Sequence, residues 1–234
     1  MGLTIHYTLS VKQDLPVGAI HEMAQRTADY ARKIGCAEVS PLISAEENPD
    51  EAPLFMRVGK PAEGRYRAVL PWRGWLVNVW PGAGCETATL GLCQYPKWIE
   101  QESQSVPTKL DSGWRFHSFC KTQYAGEHGW DSFLKCHLLV ISLLDFWRGL
   151  GARVKVNDEG GYWKGRSVEK LRDELLGYDR LVAAVGGMFK DSDNGLSVQS
   201  PIFDYKNFER LEHEGWQEFG GRLRQLRNSS GRTA

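Results

Sequence analysis

The side chains best suited to hold a ligand recur at alternate positions of three separate segments, residues 3–11, 114–125 and 152–158. They are His6, Arg115, His117, Phe119, Lys121, Arg153 and Lys155. Arginine and lysine bind phosphate oxygens, and an aromatic ring can stack on a nucleobase. If these side chains share one surface, they predict the binding of an anionic ligand, either a nucleotide or a nucleic acid.

A second candidate is the turn after the third segment, where residues 158–163 read DEGGYW. A glycine pair permits positive φ, and a carboxylate beside such a turn could act as a base or bind a cation. With His117 across a cleft, Asp158, Glu159 and Tyr162 would be the catalytic candidates of a small hydrolase. The alternative is structural: the carboxylates end a strand, and the aromatic rings fill the core beneath the turn.

Metal and cofactor sites are not indicated by the spacing of the ligand-type residues. His117 and Cys120 are three apart on a predicted strand, so their side chains point to opposite faces. The glycines at 82–84 and 160–161 match neither GxxxxGK[ST] nor GxGxxG. We therefore expect no metal and no cofactor. A nucleophilic pair of Cys120 with a distant histidine stays open beside the alternative of a buried, inert thiol.

The ligand-type side chains need neighbouring strands to bring them together. Residues 3–11 alternate apolar and polar, and residues 114–125 place Trp114, Phe116, Cys120 and Tyr124 on one face and the cationic set on the other. Residues 152–158 repeat the pattern. Three adjacent strands with helices on their apolar faces would form one open cationic surface. Two alternatives remain: these are ordinary solvated residues, or the hairpin block described below covers them.

Helical periodicity supplies the covering layer. Residues 131–150 are apolar nearly all round, which predicts a central helix buried on several sides. An apolar seam along residues 168–189 needs a partner, which is either this chain's own sheet or helix or a second copy in a homodimer. A first helix follows Pro16, and a last helix from Phe208 is expected to break or kink at Gly220-Gly221 and to end in a frayed basic tail.

The remaining segments of the sequence are rich in predicted β-strands. We predict a short strand over residues 37–43, an acidic solvated loop over 44–53, antiparallel hairpins over 54–95, and a short helix or loop over 97–110. The fold class is α+β, with an antiparallel or mixed sheet and helices on one face. The specific arrangement that we predict is ferredoxin-like, with a hairpin insertion and a C-terminal helical extension. Residues 1–190 would form the domain, and 191–234 a polar linker, the last helix and the tail.

Composition limits the possible partners. The 29 basic residues of this 234-residue chain balance 29 acidic ones, so global charge predicts no strong attraction to nucleic acid or membrane, and any attraction must be local. No segment reads as a secretory leader or a membrane span, and the five scattered cysteines suit reduced thiols. We expect a soluble cytoplasmic protein, and we favour a binding module over the hydrolase.

Overall fold

The structure is a computed structural model that describes residues 3–11, 15–58, 64–101, 104–108, 110, 113–190, 201–205 and 207–230. The predicted linker over 191–201 lies outside this part of the chain except for Pro201, and so do the last four residues of the basic tail. No helix within it is long and apolar enough to cross a membrane.

An antiparallel sheet organises the molecule. Its strands run in the order β11-β1-β10-β7-β6-β2, and β3 pairs with β6. The strands are β1 (Thr4–Val11), β2 (Glu38–Val39), β3 (Ile43–Ser44), β4 (Leu54–Val58), β5 (Arg65–Val69), β6 (Arg73–Trp80), β7 (Ala88–Gln94), β8 (Trp98–Gln101), β9 (Gln104–Pro107), β10 (Trp114–Lys121) and β11 (Arg153–Asp158). Strands β4–β5 and β8–β9 form two separate two-stranded sheets.

The helices are α1 (Val17–Lys33), α2 (Trp130–Gly149), the one-turn α3 (Tyr162–Gly165), α4 (Val168–Lys190) and α5 (Phe208–Ser230), with 3-10 turns at Pro49–Glu51, Gln123–His128 and Pro201–Asp204. Helices α1 and α2 cover one face of the main sheet, and α5 packs on α4. Helices α1 and α2 pack side by side, with the rings of Tyr30 and Phe146 stacked 4.3 Å apart. The predicted α+β class, with an antiparallel sheet and helices on one face, is confirmed.

The main core follows from strand alternation. Ile5, Tyr7 and Leu9 of β1 are buried against α1 and α2, where Ile20 and Trp147 meet them. Helix α2 buries residues on several sides, as its apolar circumference predicts, because the sheet, α1 and α4 all surround it.

The central strands have a recognisable connectivity. Along the chain, β1, α1, β7, β10, α2 and β11 alternate as in a ferredoxin-like unit, and β11, β1, β10 and β7 are neighbours in space in that order. Strands β6, β2 and β3 extend the sheet beyond β7.

The predicted hairpin block at 54–95 divides into two parts. Strands β6 and β7 belong to the main sheet because they are apolar on both faces, with Val77 and Leu90 in the main core and Leu76 and Cys93 in a second cluster. Only β4–β5 stands apart, and four of the five residues of β5 are exposed. The acidic side chains of segment 44–53 are exposed, as predicted for a solvated loop, whereas Ala45 and Ala52 anchor it in the second cluster.

Within segment 97–110, strands β8 and β9 pair antiparallel, so the predicted short helix or loop is wrong. The amide of Thr108 donates to the Lys97 carbonyl at 2.8 Å, and the Thr108 hydroxyl donates to the Pro96 carbonyl at 2.6 Å. These bonds fix the base of the hairpin. The polar composition of its strands gave no alternation from which a hairpin could be predicted.

The seam of α4 has its partners inside the chain. Leu171 and Leu175 pack with Phe133 of α2, and Ala183 packs with Phe208 and Leu211 of α5. The homodimer therefore stays a prediction that the seam no longer requires.

Helix α5 runs continuously through Gly220-Gly221, so the predicted break is wrong. Small residues serve another purpose where α5 crosses α4. A Cβ on Gly215 would collide with the backbone of Arg180, so glycine is needed for the close approach of the two helices.

Candidate anionic-ligand site

Strand β1 lies between β10 and β11, and the register of both pairings aligns polar side chains in rows. The rows are Arg153–Ser10–Arg115, Lys155–Thr8–His117 and Asn157–His6–Phe119. Paired residues of antiparallel strands point to the same face. The structure thus brings together the predicted binding residues of three distant segments, on the face opposite the α1–α2 layer.

This polar face forms the floor of a cleft of about 640 Å³. Thr8, Arg115, His117, Phe119 and Lys155 line one wall, and residues 51–55, which lead into β4, line the other. The hairpin β4–β5 therefore borders the cationic face and leaves Arg115, His117 and Lys155 exposed. Pockets of this size commonly hold one small ligand.

The positive charge of the cleft comes from arginine and lysine side chains. Within the described ranges, Arg115, Arg153 and Lys155 make no salt bridge, and Glu51 is the carboxylate among the lining residues. Because the charge of these cations is not neutralised by a neighbouring carboxylate in the described ranges, it can attract an anionic ligand.

Two of the predicted binding residues already have acidic neighbours. The Lys121 ammonium lies 3.3 Å from Glu86 Oε1, and His6 Nε2 lies 3.8 Å from Glu159 Oε1. Lys121 is therefore largely neutralised at the end of the face, and the available charge is concentrated around Arg115, Lys155 and Arg153.

His117 stands in the middle of the floor. Its Nδ1 lies 3.1 Å from the hydroxyl of Thr8. Partial burial lowers the pKa of His117 below its ordinary value, and the nearby His6 lowers it further, against an opposing effect of the Tyr7 backbone. The imidazole is consequently neutral at neutral pH and becomes a further cation only in acid.

Aromatic rings border the cationic floor on two sides. Phe119 is 46% exposed and lies 5.8 Å from the ring of His6, and Phe55 on the opposite wall is 67% exposed. The sequence indicated Phe119 through its alternation with His117. It gave no sign of Phe55, because the docking of β4 beside β10 depends on contacts distant in sequence. Thr8 lies on the same face of β1 as His6, so the alternation could have identified it as a residue of the cleft.

Asp158 does not join His117 at this site, which corrects the predicted hydrolase geometry. Its carboxylate is 1% exposed, accepts hydrogen bonds from the amides of Gly160 at 2.9 Å and Trp163 at 2.7 Å, and lies 3.5 Å from His137 Nε2. Burial alone would raise the pKa of Asp158, but the contacts with His137 and with the two amides outweigh it and hold the pKa below its ordinary value.

Sequence reasoning missed a buried polar chain behind the sheet. The hydroxyl of Thr122 lies 3.0 Å from His137 Nδ1, and His137 Nε2 faces Asp158. A hydroxyl, an imidazole and a carboxylate in series occur in hydrolases. Here the side chains of Thr122 and His137 have no exposed surface and that of Asp158 almost none, so substrate has no access and the chain of contacts is structural.

The other members of the predicted turn site also have structural contacts. Glu159 Oε2 accepts the amide of Thr4 at 2.9 Å, which ties the turn to the start of β1. Tyr162 contacts His137 edge-on, with ring centroids 6.1 Å apart. The Arg166 guanidinium lies 5.8 Å from the centre of the Tyr162 ring. None of these residues lines the cleft with His117.

The thiol and metal alternatives gain no geometric basis. Cys120 is fully buried and donates to the Glu86 carbonyl at 3.1 Å, and burial raises the pKa of its thiol well above the ordinary range. No cluster of three or more His, Cys, Asp or Glu side chains that could hold a metal occurs in the part of the chain that the structure describes.

Comparison with known proteins gives no independent indication of function: no family model, no curated protein and no solved structure matches this chain.

Proposed function

We propose that this protein binds a phosphate-bearing ligand with an aromatic base, a nucleotide or a nucleic acid, in the cleft over β11, β1 and β10. One observation carries the proposal. Arg115, Arg153 and Lys155 meet on one sheet face without carboxylate partners in the described ranges, beside the exposed rings of Phe119 and Phe55.

The side chains divide the recognition between them. Guanidinium groups bind phosphate in a planar fork, the Lys155 ammonium adds a point charge, and an exposed phenyl ring offers a stacking surface to a base. Because acidic and basic residues balance over the whole chain, attraction to an anion has to come from a local surface such as this face. Binding should therefore depend on salt.

Two alternatives have less support. No carboxylate in the described ranges is hydrogen-bonded to His117, which leaves the hydrolase without an orienting acid beside its base. A protein partner on the α4 seam would have to displace α2 and α5, since its apolar residues pack there.

The test is a binding titration with fluorescent nucleotide and oligonucleotide probes at two salt concentrations. Arg115→Gln/Lys155→Gln should weaken binding at least about tenfold and reduce its salt dependence. Arg26→Gln/Lys33→Gln removes the same charge from α1, on the other side of the sheet, and should change affinity less than about twofold. Equal losses in both variants, or no binding at low salt, would contradict the proposal.

A further inference from the structure

The hairpin β4–β5 has an exposed surface that the cleft alone does not explain. Phe55 pairs with Ala68 and Arg57 pairs with Tyr66, so these four side chains share one face of the hairpin. Leu54 and Met56 point the other way and pack on the second apolar cluster. Phe55 and Tyr66 are 67% and 69% exposed, which is unusual for large aromatic side chains.

A basic residue accompanies these rings. The Arg57 guanidinium lies 5.7 Å from the centre of the Tyr66 ring, and Arg57 makes no salt bridge within the described ranges. Arg65 and Arg67 are also exposed, but they pair with Val58 and Met56 and lie on the other face of the hairpin. Exposed aromatic rings beside an arginine are typical of surfaces that bind the backbone and bases of single strands.

Phe55 connects this surface to the cleft. It lines the wall opposite Phe119 and also belongs to the exposed hairpin face. Rings therefore continue outward from Phe119 through Phe55 to Tyr66, accompanied by Lys155 and Arg115 in the cleft and by Arg57 beyond it. A mononucleotide would occupy the cleft and leave the hairpin unused, whereas an oligomer could contact both.

From this continuity we propose that the ligand is a single strand of nucleic acid. The strand lies in the cleft and leaves it along the Arg57/Tyr66 face of β4–β5. The inference rests on the proposed function and narrows its ligand to a polymer. A duplex is a poorer match because its bases are already stacked on each other and cannot stack on Phe119, Phe55 and Tyr66. An acidic peptide would use the arginines and leave the rings without bases to stack on.

The experiment measures fluorescence anisotropy of labelled oligouridine and oligothymidine of about twelve nucleotides, within the roughly 4–16 nucleotides that single-strand sites span. Uridine monophosphate, duplex RNA and a polyglutamate peptide serve as competitors. The hairpin variant is Arg57→Gln/Tyr66→Ala. Its matched control is Lys97→Gln/Trp98→Ala, which removes a lysine and a 57% exposed aromatic ring from the β8–β9 hairpin.

The expected result is a loss of about tenfold or more in oligonucleotide affinity for the hairpin variant, with monophosphate binding unchanged. The control variant should bind the oligonucleotides and uridine monophosphate within about twofold of the natural protein. All substituted side chains are exposed, and circular dichroism melting curves verify folding.

Each other outcome overturns the inference and separates it from the proposed function. If the hairpin variant binds oligonucleotides like the natural protein while Arg115→Gln/Lys155→Gln does not, the cleft binds a nucleotide and the strand does not run along the Arg57/Tyr66 face. If duplex RNA or polyglutamate competes as well as single strands, the surface recognises charge alone. If no nucleotide or oligonucleotide binds, both proposals fail.

Discussion

His117 and Asp158 point to opposite faces of one sheet, although a single strand separates the strands that carry them. His117 pairs with Thr8 and Asp158 pairs with Ile5, and residues three apart on β1 project in opposite directions. The imidazole borders the cleft, and the carboxylate is buried behind it beside His137. Ligand binding and stability should therefore respond to different substitutions.

Anion binding should strengthen in acid through His117. Its pKa is lowered by partial burial and by His6, so it is neutral at pH 7.5 and gains a charge only as the pH falls below about 6.5. Oligonucleotide affinity should rise as the pH falls through the lowered pKa of His117. His117→Gln should remove most of this rise and leave affinity at pH 7.5 within about twofold. If affinity rises as much in His117→Gln as in the natural protein, the rise comes from other groups. His6→Gln is the comparison variant.

Asp158→Asn should destabilise the protein by about 2–4 kcal/mol, because an amide cannot accept from two backbone amides and face His137 as a carboxylate does. The folded-state pKa of Asp158 is depressed, so its stabilisation is present above the ordinary aspartate range and is lost as the pH falls through the folded pKa. Urea denaturation at pH 7 and pH 3 measures both effects.

The control for this substitution is Glu159→Gln, whose side chain is 31% exposed and which should cost less than about 1 kcal/mol. Unchanged ligand affinity in folded Asp158→Asn is also expected. A loss of binding at full stability would give Asp158 a functional role after all.

Asp179 has the opposite pH dependence. It is buried in α4 and accepts from Gln123 Nε2 at 3.2 Å, and burial raises its pKa from 3.8 to about 6. The protonated form favours folding, so this contribution is complete below about pH 3.8 and is lost as the pH rises through 6. At pH 7.5 the loss amounts to about 3 kcal/mol, from 1.36 kcal/mol per pKa unit.

Asp179→Asn keeps an acceptor for Gln123 and cannot ionise. It should be more stable than the natural protein at pH 7.5 and similar to it below about pH 3.8, in thermal or urea denaturation. A lower stability at both pH values would show that the ionised carboxylate has a partner that stabilises it.

Gly215→Ala should force α5 away from α4, because the added methyl group would meet the Arg180 carbonyl oxygen and the Ala184 side chain. We expect a loss of about 1–3 kcal/mol, typical of overpacking. Gly221→Ala in the same helix has open space around it and should be neutral or stabilising by up to about 1 kcal/mol. Equal effects of the two substitutions would mean that α5 does not pack closely on α4.

Alternation in the sequence was sufficient to predict the floor of the cleft. It separates His6, His117 and Lys155 from the core residues of their strands, and the register of β1 with β10 and β11 then aligns them. The same rule places Asp158 with Val154 and Val156 on the core side of β11, so its burial could have been predicted from the parity of its position.

Long-range docking could not be predicted in this way. Both pairs of strands within residues 54–95 were predicted as hairpins, yet β7 joins the main sheet through the pairing of Cys93 with Arg115 while β4–β5 remains outside it. The opposite wall of the cleft, with Phe55, depends on where that outer hairpin lies. His137 was likewise obscured by the apolar residues that surround it in α2.

The rows across β11, β1 and β10 take their side chains from near the beginning, the middle and the latter half of the described chain. Because these segments are far apart in sequence, the binding surface exists only in the folded state. A ligand bound there stabilises the native protein in proportion to the logarithm of its concentration. The occupied cleft would thus link the N-terminal strand to two segments more than a hundred residues away, and resistance to unfolding becomes a measure of occupancy.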